Sequence, residues 1–87
     1  MDAAGWDVRR IGGVVRVNLS RAVHLSATDE DAIVTATEEL LRDGEVSIVE
    51  VTGPIDAARP PSGLARVLKA LHRLAERRDS QLIVGPV

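Results

Sequence analysis

Apolar positions recur along this chain with two different spacings, and the spacing indicates the element. Val14-Val15-Arg16-Val17-Asn18-Leu19 alternates, which is the period of a strand buried on one face. The alternation sets Val15, Val17 and Leu19 on one side and Arg16 and Asn18 on the other. Val14 adds β-propensity without choosing a face. A shorter mixed stretch, Asp7-Val8-Arg9-Arg10-Ile11, comes before it. Gly12-Gly13 between the two suits a tight hairpin with positive φ angles.

Ser20 to Ala27 reads as a connecting loop, after which the period becomes helical. Ile33, Ala36, Thr37, Leu40 and Leu41 fall on one stripe. Thr28 with Asp31 three residues on reads as the cap of this helix. Asp29, Glu30 and Asp31 suit the positive end of its dipole, and Gly44 is its stop signal. Val46-Ser47-Ile48-Val49-Glu50-Val51 is the most apolar strand candidate and is expected to be central. Gly53-Pro54 ends it, and Ile55 to Pro61 is a loop. Ser62 to Arg78 has the clearest helical pattern, with Leu64, Val67, Leu68, Leu71, Leu74 and Ala75 on one face. Ser62 reads as its N-cap, because Pro60 and Pro61 before it cannot occupy a helix interior. Gln81-Leu82-Ile83-Val84 is a last strand, broken by Gly85-Pro86. The order β-β-α-β-α-β predicts a single α/β domain over residues 1–87. It should be a four-stranded mixed sheet with helices packed on it.

Composition narrows this picture. Trp6 is the single aromatic residue and there is no cysteine. The core must therefore be aliphatic, and disulfides and thiolate metal sites are excluded. No apolar run approaches the roughly 20 residues of a membrane span. Met1-Asp2-Ala3-Ala4-Gly5 has no basic stretch leading into an apolar one, so no signal peptide is read here. The expectation is a cytoplasmic protein without membrane insertion. The net charge of −2 conceals an asymmetry of −4 over residues 1–45 and +2 over residues 46–87. Neither balance is extreme, which argues against general nucleic-acid binding.

Little in the sequence points to catalysis. His24 and His72 have no ligand-spaced neighbours, and a metal site needs three or four convergent donors. Asp29, Glu30 and Asp31, like Glu38 and Glu39, read as solvated helix surface. Gly12-Gly13 is too short for a phosphate cradle, and no glycine-rich loop opens a helix. Neither a Gly-x-Ser-x-Gly motif nor an evident acid–base pair is present. No metal and no cofactor are expected. One charged feature stands out. Arg66, Lys69, Arg73 and Arg77 follow three- and four-residue spacing opposite the apolar face of the second helix. They read either as an ordinary solubilising face or as a surface for an acidic partner.

The central strand and second helix resemble a STAS domain, the family of bacterial anti-sigma factor antagonists and of cytoplasmic domains of sulphate transporters. The family strand reads apolar, then Asp-Leu-Ser-Gly, and Val49-Glu50-Val51-Thr52-Gly53 is a conservative version. The family loop ends near Asp-Ser-Ser-Gly-Leu at the start of an amphipathic helix. Pro60-Pro61-Ser62-Gly63-Leu64 occupies that place, with Ser-Gly-Leu matching and a proline replacing the acid. The basic end of the helix and Gln81-Leu82-Ile83-Val84-Gly85 also fit the family order. The resemblance implies a non-catalytic protein-protein interaction module. It makes Ser62 the candidate phospho-acceptor for a partner that is both kinase and anti-sigma factor, while the residues alone still allow a plain N-cap. Asp56, Arg59, Ser62, Gly63, Arg66 and Lys69 become the candidate partner-binding residues, with Asp56 the acid nearest to replacing the family's own. An alternative is a STAS-like subunit of a transporter or of a self-assembling complex, possible homo-oligomers included, since uncovered sheet edges invite pairing. A third reading comes from the strand segments 15–22 and 48–53, which also resemble the opening of a crotonase-fold enzyme. That fold needs a longer spiral and oxyanion-stabilising loops.

Overall fold

The computed structural model describes residues 5–19, 24–42, 45–53 and 62–85. In chain order the elements are β1 (Asp7–Ile11), β2 (Val14–Asn18), α1 (Ala27–Leu41), β3 (Ile48–Thr52), α2 (Leu64–Arg77) and β4 (Gln81–Val84). They form the α/β architecture expected from the pattern: one four-stranded mixed sheet of order β1-β2-β3-β4. β1 and β2 pair antiparallel, and β2, β3 and β4 run parallel.

The hairpin register, with Ile11 opposite Val14, leaves Gly12 and Gly13 as the loop. Only Gly12 has a positive φ, at 61°, so the expectation of two such angles is corrected. A positive φ at the first loop position alone is the pattern of a type II′ turn. β3 starts at Ile48 rather than Val46, because its partner β2 begins at Val14, directly opposite. Ahead of that point the Ser47 and Ile48 N–H groups both donate to the Gly13 carbonyl, at 3.0 and 3.4 Å. Both β2 and β3 are central.

The alternation in β2 is realised. Val15 and Val17 are fully buried and Arg16 is exposed. In parallel register Val15 lies beside Val49 and Val17 beside Val51, which joins two strands into one apolar surface. Both helices cover that surface: α1 packs on β1 and β2, α2 packs on β4, and the helices touch each other. Ile33, Thr37 and Leu41 of α1 interlock with Leu64, Val67, Leu71, Leu74 and Ala75 of α2 in one aliphatic core. Thr37 is its buried polar residue, and its hydroxyl donates to the Ile33 carbonyl at 2.8 Å. The opposite sheet face has no helix among the described residues. It carries an Arg16–Glu50 ion pair of 2.9 Å across β2 and β3. No described helix is long and apolar enough to cross a membrane.

Both helix starts differ from the expectation. α1 is capped by Ser26, not Thr28. The Asp29 N–H donates to Ser26 Oγ at 3.1 Å, and the Ser26 N–H donates to Asp29 Oδ2 at 3.0 Å. This is a reciprocal capping box, two residues earlier than the equally spaced Thr28–Asp31 pair. α2 begins at Leu64, and its N-cap is Gly63 in a left-handed conformation, not Ser62. Gly44, Pro54 and Pro86, read as stop signals, lie outside the described residues.

Candidate partner-binding site

Ser62 and Gly63 stand where α2 meets the segment preceding α1. The Leu25 N–H donates to the Ser62 carbonyl at 2.6 Å, and His24 and Ser62 form an isolated parallel bridge. At the C-terminal ends of β2 and β3 the Leu19 N–H likewise donates across to the Thr52 carbonyl, at 2.8 Å. Leu25 is fully buried and anchors the latch in the core.

Gly63 is required by two independent constraints. Its φ is 88°, a region where a side chain is strained. A Cβ there would overlap the Leu25 carbonyl oxygen and stand 3.1 Å from the carbonyl carbon. The close approach of the two segments therefore depends on a residue without a side chain. Ser62, by contrast, is exposed. Its main chain is fixed by the latch, while α2 begins without a side-chain hydrogen bond at its cap.

Arg66 ties the same corner from the side. Its Nε is 2.7 Å from Glu30 Oε1, and its Nη2 donates to the Leu25 carbonyl at 3.3 Å. The guanidinium thus bridges α2, the latch and the first turn of α1. On the far side of that turn, Trp6 Nε1 donates to Asp29 Oδ1 at 3.4 Å. The pKa of Asp29 is lowered, first by the hydrogen bond from the Ser26 backbone, then by Trp6, by the Ser26 hydroxyl and by nearby His24. Desolvation opposes these effects without overcoming them.

Beyond Arg66 the basic stripe continues along an exposed face. Lys69, Arg73 and Arg77 are all exposed, and none has a carboxylate partner among the described residues. Arg73 and Arg77 border a groove of about 590 Å³ between the helices, together with Val34, Ala70 and Glu76. His72 and Glu76 pair at 3.7 Å on the exposed side of α2. Among the described residues no three His, Asp or Glu side chains converge as metal ligands.

Of the candidates read from the sequence, Ser62, Gly63 and Arg66 meet at one corner, and Lys69 lies one turn further along α2. Asp56 and Arg59 lie outside the described residues. Sequence reasoning missed Leu25, Ser26 and Glu30 as builders of this corner. The Ser26–Asp29 spacing was visible, but an identical spacing two residues later competed with it. The Glu30–Arg66 pair spans 36 positions of chain and leaves no local signature. No family model, curated protein or solved structure matches the chain.

Proposed function

We propose that this chain is a non-catalytic protein-protein interaction module of the anti-sigma factor antagonist type, docking through the N-terminal end of α2 with Ser62 as its regulated hydroxyl. One observation carries the reading. Ser62 is an exposed serine whose backbone is held by Leu25 while its hydroxyl is not needed to cap the helix. Modification there would leave the fold in place. A phosphoryl group adds about −1.5 to −2 charges, and a helix N-terminus accepts negative charge. A partner surface shaped for a neutral hydroxyl would lose its fit. Lys69, Arg73 and Arg77, which have no carboxylate partner among the described residues, favour an acidic region on that partner, reached along the same helix.

The test compares the unmodified chain with Ser62→Ala and Ser62→Asp in affinity capture from the native organism, with mass spectrometry of the partner and of the chain. The expected partner is a kinase-type anti-sigma protein held by the unmodified chain and by Ser62→Ala, released by Ser62→Asp, and able to phosphorylate Ser62 with ATP. Equal capture by all three forms, with Ser62 left unmodified, would remove the proposal.

A second reading, a subunit of a transporter or self-assembling complex, is favoured by a different observation. The outer edge of β4 is unpaired by any described strand and carries no charged side chain.

A further inference from the structure

The two edges of this sheet are built differently. β1 carries Asp7, Arg9 and Arg10 among its five residues, the kind of charge that discourages edge-to-edge pairing. β4 is Gln81-Leu82-Ile83-Val84, with no charge and no proline. Its side chains are also incompletely covered. Val84 shares the helix-facing side of the sheet with its neighbour Val51, yet it is 43% exposed, whereas Val51 is fully buried. Leu82, on the same side, is only half-buried, as is Leu68 on α2, the helix that packs on β4. Ile83 is 39% exposed on the helix-free face.

The backbone fixes how this edge can be used. The Gln81 N–H donates to the Ser47 carbonyl at 2.9 Å, and the Gly85 N–H donates to the Val51 carbonyl at 3.1 Å. Residues at odd positions of β4 therefore turn their amide groups toward β3. Leu82 and Val84 turn theirs outward, each with one donor and one acceptor.

We infer that β4 pairs antiparallel with the β4 strand of a second copy of this chain, about a two-fold axis passing beside Ile83. This inference deepens the self-assembling reading and does not depend on Ser62. In that register Leu82 of each copy faces Val84 of the other as a hydrogen-bonded pair, and each outward N–H meets an outward carbonyl. Ile83 then faces the second copy's Ile83 as a non-hydrogen-bonded pair, with Cα atoms about 4.5 Å apart. Leu82 and Val84 gain cover on the helix side. The contact is the same patch on both subunits, so it closes as a dimer. Pairing β4 with β1 of another copy would form an open chain, and the charges on β1 oppose it. Pairing β1 with β1 brings its arginines toward one another.

Sedimentation of the unmodified chain from low micromolar to millimolar concentration should show its mass double. The dimer should be insensitive to salt, because no charges meet at the axis. The axis is tested directly by Ile83→Cys, since the chain has no cysteine of its own. A separation of about 4.5 Å lies within the ~4.4–6.8 Å spanned by a disulfide, so mild oxidation should yield a covalent dimer. Ile11→Cys, on the exposed far edge (Ile11 is 53% exposed), should stay monomeric under the same oxidation. Ile83→Lys and Ile83→Glu should each lose the dimer alone and regain it when mixed in equal amounts. Because Ile83 is outside the core, circular dichroism should show all of these variants folded. A chain that stays monomeric to millimolar concentration overturns the inference, as does cross-linking of Ile11→Cys as fast as Ile83→Cys. Neither result bears on Ser62, whose test reads partner capture.

Discussion

Asp29 shows how much of this corner rests on single groups. It closes the capping box of α1 and receives the Trp6 indole N–H. Its pKa lies below the ordinary 3.8 in the folded chain, so the unfolded chain binds the proton more readily. The stability it contributes is therefore complete above the ordinary value and is lost as pH falls through the lowered one. Asp29→Asn keeps an amide in place but cannot ionise. Its thermal midpoint should lie below that of the unmodified chain at pH 7, and the gap should close as pH is taken down through 4 and below. Circular dichroism melts across that range check the expectation, and a pH-independent gap would contradict it. Gly63 is the other residue on which the corner turns. With its φ of 88° and the Leu25 carbonyl in the way, Gly63→Ala should cost about 2 kcal/mol or more. Denaturant titration measures this, and Gly12→Ala is a useful comparison. Gly12 also has a positive φ but opens onto free space, so it should cost less.

At the scale of elements, the strands and helices were legible because their periods differ. The alternation of Val15, Val17 and Leu19 predicted a buried face for β2, and the apolar run 46–51 a central strand; in the parallel ladder Val15 and Val17 lie beside Val49 and Val51. Of the stripe read in α2, Leu64, Val67, Leu71, Leu74 and Ala75 are buried, while Leu68 is only half-buried. The helix starts were misread for a physical reason. A cap is defined by backbone conformation as well as side-chain chemistry, and serine, threonine and aspartate at three-residue spacing offered competing registers. Ser26 prevails over Thr28 because it directly follows Leu25, whose burial and bond to Ser62 fix where the chain leaves the latch. Ser62 loses the cap of α2 because its carbonyl is already committed to that bond and the next residue turns left-handed. The corner was thus half legible: its α2 residues were read from the sequence, whereas Leu25, Ser26 and Glu30 are joined to it only by tertiary contact. This sets a contrast to measure. Ser26→Ala should destabilise the fold by about 1 kcal/mol, while Ser62→Ala, with no cap to lose, should be near neutral. If the two variants unfold with equal losses, the assignment of the cap to Ser26 is wrong.

Over the whole molecule, charge is divided by surface. The helix-free face neutralises itself, with Arg16 on Glu50 and Arg9 on Asp7. The corner neutralises itself through Arg66 and Glu30. Without a carboxylate partner among the described residues are Arg42 at the end of α1 and the stripe Lys69, Arg73 and Arg77, and the second half of the chain has a positive balance. Exposed groups of this kind contribute little to folding, and the median surface ion pair is worth only about 0–1 kcal/mol. The double variant Arg73→Glu/Arg77→Glu should therefore unfold within about 0.5 kcal/mol of the unmodified chain. If the stripe meets an acidic partner, the same variant should lose capture of that partner even though Ser62 is untouched. Capture by the unmodified chain should then weaken as salt is raised through the range where the screening length shrinks to about 8 Å and below. A solubilising face gives the opposite pair of results, with capture unchanged by either variant or salt. The dimer inferred at β4 is separable from both outcomes, because its axis holds isoleucine and backbone amides and no net charge.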